Sequence, residues 1–405
     1  MPPDERAEIA IVGGGPAGAA LAIRLATDGV DVALFERWPA PRWRAAGVYS
    51  SPLTRGRLRE LDLSGAQLDA LIRPIETMEV VSTRGHTCCL EYDPPAGGLD
   101  RVRLERALLD RAAAAGARVH EGAAVSGLAP GRSASDLTAS GRNGPQRWAA
   151  RLVVGADGPG SMVARAFGVD RPARRLRHAG LTVHRIDPEA AAAGTPMTAR
   201  MVIGEGWYCG VAPVPGGRVN IGLVMSERRL RSSLRKSGSA RAVVRHVVRD
   251  AVRALPPPRA AWQDAPETDE TAVALPLAHR VARRSGPSFL LVGDAAGFID
   301  PLSGEGLHRS LVSAELAADA ITAWRRGDAA ALERYDQRMR ARFAPKDLLS
   351  WLLQLLLARP GALDHALSRL ARRDDIRRTF ADVMADLQPP QRALQPRFLL
   401  RLLAP

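Results

Sequence analysis

Three glycines near the start of the chain have a spacing that can bind phosphate. Gly13, Gly15 and Gly18 lie between an apolar strand-like run and a helix-like run, and Glu36 closes the next apolar run. Gly13 permits a tight turn, Gly15 lets backbone amides approach a pyrophosphate at the helix N-terminus, and Gly18 permits close packing of the helix on the strand. The Glu36 carboxylate can accept hydrogen bonds from a ribose, and its charge disfavours a 2′-phosphate. Together these features predict a dinucleotide site.

A later segment, 290–307, carries a second group of residues suited to cofactor binding. Asp294 ends an apolar strand-like run, where its carboxylate could accept a hydrogen bond from a sugar-alcohol hydroxyl. Pro301 is followed by Gly304 and Gly306, which would leave a helix N-terminus bare. The positive end of that helix dipole could stabilise negative charge on a ring system. Taken alone, the same residues would fit a glycine-rich linker before a surface helix.

Several segments in this order resemble known signatures. Residues 151–165, with Asp157, resemble the second signature of FAD-dependent monooxygenases and their relatives, including the para-hydroxybenzoate hydroxylase-like enzymes. Residues 290–307 resemble their third signature, and Arg101 stands where such proteins carry an arginine near the cofactor. Asp-Pro-Leu-Ser-Gly-Glu-Gly at 300–306 is most similar to the geranylgeranyl reductase family. The glycine turn, Arg101 and the segments 151–165 and 290–307 occur in the order found in these proteins and together span about three quarters of the chain.

The resemblance implies a set of residues that bind FAD without a covalent bond. These are Gly13, Gly15, Pro16, Ala17, Gly18, Glu36, Arg37, Arg44, Arg101, Asp157, Asp294, Pro301, Gly304, Gly306 and Leu307. His308, one turn into the following helix, could donate a proton to a substrate, although a packing histidine is commoner. Trp207 and Tyr208 could line the substrate pocket or pack in a core. No metal-ligand spacing is present, so no metal is expected.

The family resemblance favours a hydrophobic substrate. We predict that FAD, once reduced, reduces a carbon–carbon double bond in an isoprenoid or natural-product intermediate. An NAD(P)H-dependent monooxygenase is the first alternative, and a halogenase-like or non-catalytic flavin protein is the second. The stretch Tyr208–Pro213 lacks both tryptophans of the Trp-x-Trp-x-Ile-Pro stretch in flavin-dependent halogenases, which disfavours halogenation. No second glycine fingerprint occurs, so NAD(P)H, if used, would bind transiently.

The elements that must position these residues follow from hydrophobic periodicity. Residues 8–36 are typical of a βαβ unit, 103–115 of an amphipathic helix, and strand-like runs without long helices follow residue 175. We predict an α/β fold with a discontinuous Rossmann-like FAD-binding domain in 1–75, 100–172 and 275–335. An antiparallel-sheet substrate domain is predicted in 76–99 and 173–274, followed by a helical C-terminal lobe in 336–405.

Composition narrows the classes of partner. The chain has 405 residues, 46% of them hydrophobic, and a formal net charge of +14, but 55 of its 57 basic residues are arginine. That skew indicates coding bias, and few aromatic residues are present, so no nucleic-acid partner is expected. One cluster, Arg171, Arg174, Arg175 and Arg177, could contact anions.

Three cysteines and no export signal predict a cytoplasmic protein. The apolar run 348–357 is too short to span a bilayer, which needs roughly 20 residues. Peripheral membrane contact through this run is left open. No oligomeric state is predicted.

Overall fold

The structure is a computed structural model, and it describes residues 3–403 apart from 83, 132, 142–143, 173–176, 189–196, 255–264 and 269–270. Arg174 and Arg175 of the predicted anion cluster lie outside the described residues. The strands are Glu5–Val12, Val32–Glu36, Tyr49–Ser50, Ile72–Ser82, Thr87–Leu99, Arg118–Glu121, Ala124–Ala129, Ser135–Gly141, Gly144–Gly155, Asp170–Arg171, His178–Ile186, Thr198–Gly204, Trp207–Val214, Arg218–Ser226, Ala272–Ala274, Arg280–Val281, Ser285–Gly286 and Phe289–Leu291. The helices are Pro16–Thr27, Leu53–Arg59, Gly65–Leu71, Arg101–Ala114, Met162–Ala166, Glu227–Ser237, Ala240–Ala254, Gly306–Arg325, Ala331–Leu357, Pro360–Arg372, Asp374–Met384, Gln391–Leu394 and Pro396–Leu403.

The first sheet contains the N-terminal strand at its centre. Glu5–Val12 pairs in parallel with Val32–Glu36 on one side and with Gly144–Gly155 on the other. Phe289–Leu291 extends the parallel array beyond Gly144–Gly155. Buried on both faces, these strands are continuous apolar runs rather than alternating ones. Parallel strands end at the same edge, so the segments that follow Val12, Gly155 and Leu291 meet there.

Helices cover this sheet and bring the signature segments together. Helix Pro16–Thr27 packs against both Arg101–Ala114 and Gly306–Arg325. The helix predicted over 103–115 begins at Arg101, because the Asp100 carboxylate accepts a hydrogen bond from the Arg103 amide at 3.1 Å and caps it. Arg101 therefore lies in the first turn of the helix instead of ahead of it.

The second sheet is antiparallel with one exception. Its strand order is Ala272–Ala274, His178–Ile186, Arg218–Ser226, Trp207–Val214, Thr198–Gly204, Ile72–Ser82, Thr87–Leu99 and Tyr49–Ser50. Thr198–Gly204 pairs in parallel with Ile72–Ser82, which the sequence did not predict. Tyr49–Ser50 joins this sheet from within the segment 1–75 that was predicted for the other domain. The domain boundaries themselves stay a prediction.

The two faces of the second sheet have different neighbours. Helices Glu227–Ser237 and Ala240–Ala254 cover one face and share a core cluster with it. Helices Pro360–Arg372 and Asp374–Met384 pack against strand Thr87–Leu99, and the C-terminal helices share a core cluster with the opposite face. Within the described part of the chain, no helix is both long and apolar enough to cross a membrane.

Candidate active site

The turn at the end of the first strand is built on backbone-to-backbone contact. Gly13 has a φ of +110°, and a Cβ placed there would lie 2.4 Å from the Ala156 carbonyl oxygen. A Cβ on Gly18 would lie 2.0 Å from the Gly13 carbonyl oxygen. Gly15 caps helix Pro16–Thr27 in an extended conformation, and as a glycine it has no side chain to accept a hydrogen bond from the helix N-terminus. The first amides of this helix are left for an anion.

The Glu36 carboxylate is fixed beside this turn. One of its oxygens accepts a hydrogen bond from the Gly14 amide at 2.8 Å, and the other accepts one from the Trp38 amide at 3.0 Å. The residue is 8% exposed. Each carboxylate oxygen can accept a further hydrogen bond. Glu36 is therefore held in place to receive a sugar hydroxyl.

Two guanidinium groups lie near the same helix N-terminus. Arg44 and Arg101 both pair with the Glu105 carboxylate, at 2.9 and 3.1 Å. Arg101 also donates to the Gly47 carbonyl oxygen at 3.2 Å, and the Arg44 Nη2 atom lies 3.4 Å from the Cβ position of Gly15. Sequence reasoning missed Glu105, although its position four residues after Arg101 on one helix is typical of an ion pair. Sharing one carboxylate leaves the pair with a net positive charge.

Two buried carboxylates have an oxygen that receives no hydrogen bond. Asp294 Oδ1 and Asp157 Oδ1 are both buried, and no donor from the described residues reaches either atom. Burial raises the pKa of Asp294, although Arg309, Arg101 and Arg44 act in the opposite direction. Burial also raises the pKa of Asp157, although its hydrogen bonds, including one from the Met162 amide, act to lower it. Buried acceptors of this kind are normally satisfied by a donor from an ordered water or a ligand.

The loop before helix Gly306–Arg325 completes the arrangement. Asp300 accepts a hydrogen bond from the Leu302 amide at 3.0 Å, and Gly304 has a φ of +66°. A Cβ on Gly304 would lie 2.3 Å from Cδ1 of the Tyr49 ring. No side chain caps the 20-residue helix that follows. Its N-terminus is bare, as the sequence predicted.

One cavity of about 900 Å³ joins these groups. Of the predicted cofactor residues it is lined by Gly13, Gly15, Pro16, Ala17, Glu36, Arg37, Arg44, Arg101, Asp157, Asp294, Pro301, Gly304, Gly306 and Leu307. Gly18 lies behind the turn, where it packs on Gly13 and Ala156. Segments far apart in the chain thus meet along one wall. Their individual contacts with a cofactor stay predictions.

Comparison with known proteins decides the family. The model of the FAD binding domain family matches residues 6–346. The chain belongs to this family. Its cofactor is FAD, and the protein is an FAD-dependent oxidoreductase.

Similar proteins include two reductases and a halogenase. Digeranylgeranylglycerophospholipid reductase 2 of Methanopyrus kandleri is 29% identical, over 83% of this chain and 83% of the relative. Menaquinone reductase of Mycolicibacterium smegmatis is 28% identical, over 78% of this chain and 76% of the relative. The solved flavin-dependent brominase Bmp2 has a TM-score of 0.79 at 14% identity, covering 94% of this chain and 93% of its own. At that identity the brominase shares the fold alone.

The residues of the cavity fit FAD. The bare helix N-terminus and the two arginines could provide donors for the pyrophosphate, and Glu36 could provide acceptors for the ribose. The free Asp294 oxygen can accept from a ribityl hydroxyl, which would satisfy a buried atom that otherwise has no partner. The second bare helix N-terminus, at Gly306, would provide positive potential for the ring.

Tyr208 and Trp207 are neighbours on one strand, so their side chains point to opposite faces of the sheet. Tyr208 lines the cavity, where its hydroxyl donates to Asp300 Oδ1 at 2.5 Å. His178 Nδ1 lies 3.1 Å from the other oxygen of Asp300. Trp207 points to the opposite face and belongs to the core cluster under the two helices there. Of the two alternatives left open for these residues, Trp207 packs in the core and Tyr208 lines the cavity.

His308 lies away from the cavity. Its side chain is buried, with Nε2 3.4 Å from Arg342 Nη2, and burial lowers the pKa of His308 to about 4. At neutral pH this imidazole is uncharged and does not line the cavity. Of the two roles left open for His308, its position favours that of a packing residue over that of a proton donor.

The titration of His308 has a measurable consequence for stability. Its pKa is lower in the folded than in the unfolded protein, so the unfolded state gains a proton first as the pH falls. We expect the free energy of unfolding to fall between pH 6.5 and 4, by on the order of 3 kcal/mol from this residue. In His308→Gln the decline is expected to be correspondingly shallower in urea titrations. An unchanged slope in His308→Gln would contradict the assignment.

Proposed function

We propose that this FAD-dependent oxidoreductase reduces carbon–carbon double bonds in a long apolar substrate of the polyprenyl class. The relatives named digeranylgeranylglycerophospholipid reductase and menaquinone reductase support the proposal across most of the chain. The fold alone does not decide the reaction, because a brominase shares it. The shape and chemistry of the cavity carry the argument.

The supporting observation is an apolar arm of the cavity beyond the FAD residues. Its wall comes from four helices of the C-terminal lobe, and the lining side chains there are Leu353, Leu356, Leu357, Leu363, Ala366, Leu367, Leu370, Phe380, Met384 and Leu402. The second sheet adds Met78, Val80 and Leu90. The charged residues named above are concentrated at the glycine turn. A substrate that fills this arm must be long and apolar, because each buried methylene contributes about 0.8 kcal/mol.

The chemistry divides between the cofactor and the chain. When bound and reduced, FAD would supply hydride chemistry at the double bond, and the balancing proton would come from solvent. The apolar wall would keep bulk water away from the rest of the substrate. Tyr208 and Asp300, joined by a hydrogen bond, hold the loop that carries Pro301 and Gly304 against the cavity. We propose NAD(P)H as a transient electron donor, since the sequence carries no second glycine fingerprint.

An anaerobic experiment tests the proposal. Protein reduced with dithionite is mixed without oxygen with an unsaturated polyprenol, and flavin absorbance and product mass are followed. We expect reoxidation of FAD in proportion to a product with two more hydrogens. A fully saturated chain of the same length serves as the control and should leave FAD reduced. Reoxidation that requires oxygen, with a hydroxylated or halogenated product, would refute double-bond reduction.

Adjacent residues on one strand give a matched pair of variants. Tyr208→Phe removes the hydrogen bond to Asp300 and leaves a buried carboxylate with one donor fewer. We expect kcat/KM to fall about tenfold, equivalent to about 1.4 kcal/mol, with FAD still bound. Trp207→Phe should lower the melting temperature and leave kcat/KM unchanged, because Trp207 packs on the other face. Equal losses of kcat/KM in both variants would show that Tyr208 has no specific role at the cavity.

A further inference from the structure

The last turns of helix Ala331–Leu357 carry apolar side chains on an outer face and on the cavity face, while Asp347, Ser350 and Gln354 form a polar stripe. Leu348, Trp351 and Leu355 follow the i, i+3, i+7 spacing of one helix face and are 52%, 37% and 51% exposed. Leu353 and Leu356, from the same turns, line the cavity. Large apolar side chains that are exposed together on the outer face of a helix mark an interaction surface. Here the outer face has no cover from the described part of the chain.

Helix Pro396–Leu403 repeats the arrangement. Phe398 is buried and Leu402 lines the cavity, while Leu400 and Leu403 are 67% and 50% exposed. We define the C-terminal apolar patch as Leu348, Trp351, Leu355, Leu400 and Leu403. The patch belongs to two helices that wall the same apolar cavity arm, so its members are sequence neighbours of cavity-lining residues.

Arginines flank both parts of the patch. Arg359, one turn beyond Leu355, is exposed and donates to the Leu355 carbonyl oxygen at 3.4 Å. Arg397 and Arg401 lie on the other helix, where Arg401 also pairs with Asp375 at 2.7 Å. The whole chain has a formal net charge of +14. An apolar face bordered by arginines, with a tryptophan in it, has the chemistry of the interface of an anionic bilayer.

We propose that the C-terminal apolar patch docks on the surface of an anionic lipid bilayer. The exposed leucines enter the acyl boundary, and the flanking arginines contact lipid phosphates. A bilayer explains the combination of apolar and basic residues better than a protein partner, because the patch also lies outside the wall of an apolar cavity. Binding itself is independent of the reaction. Only the further step, in which a substrate passes from the bilayer into the cavity arm, rests on the proposed function.

Sedimentation with vesicles tests the docking. The full-length FAD-bound protein is centrifuged with vesicles of phosphatidylcholine mixed with phosphatidylglycerol, and with vesicles of phosphatidylcholine alone. We expect binding to the mixed vesicles and at least tenfold weaker binding to the neutral ones, with high salt weakening the former. The fourfold variant Leu348→Ser, Leu355→Ser, Leu400→Ser and Leu403→Ser should bind at least tenfold more weakly than wild type.

Controls separate docking from a general loss of folding or solubility. Leu53→Ser changes a leucine that is 37% exposed on helix Leu53–Arg59, outside the patch, and should bind as wild type does. All variants must retain FAD absorbance and a cooperative melting transition. The tryptophan fluorescence of the wild-type protein should shift to shorter wavelength when mixed vesicles are added. The Trp351→Phe variant should show a smaller shift.

Three results would overturn the proposal. Wild type could remain in the supernatant with both vesicle types, or Leu53→Ser could weaken binding as much as the fourfold variant does. Alternatively, wild type could be a dimer in solution that the fourfold variant converts to a monomer, which would show that a second copy covers the patch. None of these readouts depends on turnover, so failure of the reductase proposal remains distinguishable.

Discussion

Replacing Gly18 with alanine is expected to weaken FAD binding at least a hundredfold. The added Cβ would lie 2.0 Å from the Gly13 carbonyl oxygen and 3.0 Å from the Ala156 Cβ. The first of these neighbours is backbone, so the helix must move away from the strand and its amides lose their alignment with the pyrophosphate. Overpacking of this severity costs about 3 kcal/mol or more, which corresponds to a Kd for FAD at least a hundredfold higher. Purified Gly18→Ala should be nearly colourless, with Kd measured by titration of added FAD.

A second glycine provides the matched control. Gly56 also lies inside a helix, Leu53–Arg59, but a Cβ there meets no atom within 4 Å. Gly56→Ala is expected to retain FAD and to stabilise the protein by about 0.5–1 kcal/mol, since alanine favours the helix. A yellow Gly18→Ala protein with a wild-type Kd would show that the turn does not set the geometry of the pyrophosphate site.

The sequence predicted those features whose geometry depends on residues close together in the chain. Gly13, Gly15 and Gly18 act through a single strand–turn–helix unit, so their spacing already contains the geometry. The bare helix start at Gly306 follows from Pro301 and Gly304 in the same way. These local predictions agree with the structure, and the family match supports the FAD-binding fold as a whole.

Features that depend on distant segments were not predictable. Both faces of strand Trp207–Val214 are buried, so hydrophobic pattern alone could not choose between Trp207 and Tyr208 as the cavity residue. The role of Glu105 depends on Arg44, 61 residues earlier in the chain. The parallel pairing of Thr198–Gly204 with Ile72–Ser82 is similarly non-local. Periodicity carries no information on such pairings.

The apolar arm makes a prediction about substrate length. Ala366 lies on helix Pro360–Arg372, is buried, and lines the arm among leucines. Ala366→Phe would place a ring in the space that we assign to the distal part of the substrate. Expelling one five-carbon unit loses about 0.8 kcal/mol per carbon, or about 4 kcal/mol, so kcat/KM for a long polyprenyl substrate should fall on the order of a thousandfold.

A short substrate and a surface variant serve as controls that distinguish a block in the apolar arm from general damage to the protein. A substrate with a single isoprenoid unit does not reach the ring, so its kcat/KM in Ala366→Phe should stay within about threefold of wild type. Ala371→Phe adds the same ring at an exposed position of the same helix, outside the cavity wall, and should leave both substrates unaffected. If Ala366→Phe slows short and long substrates equally, the ring has disturbed the cofactor end or the fold. The arm would then not be the place where chain length is recognised, and the substrate class would have to be argued from the FAD end of the cavity.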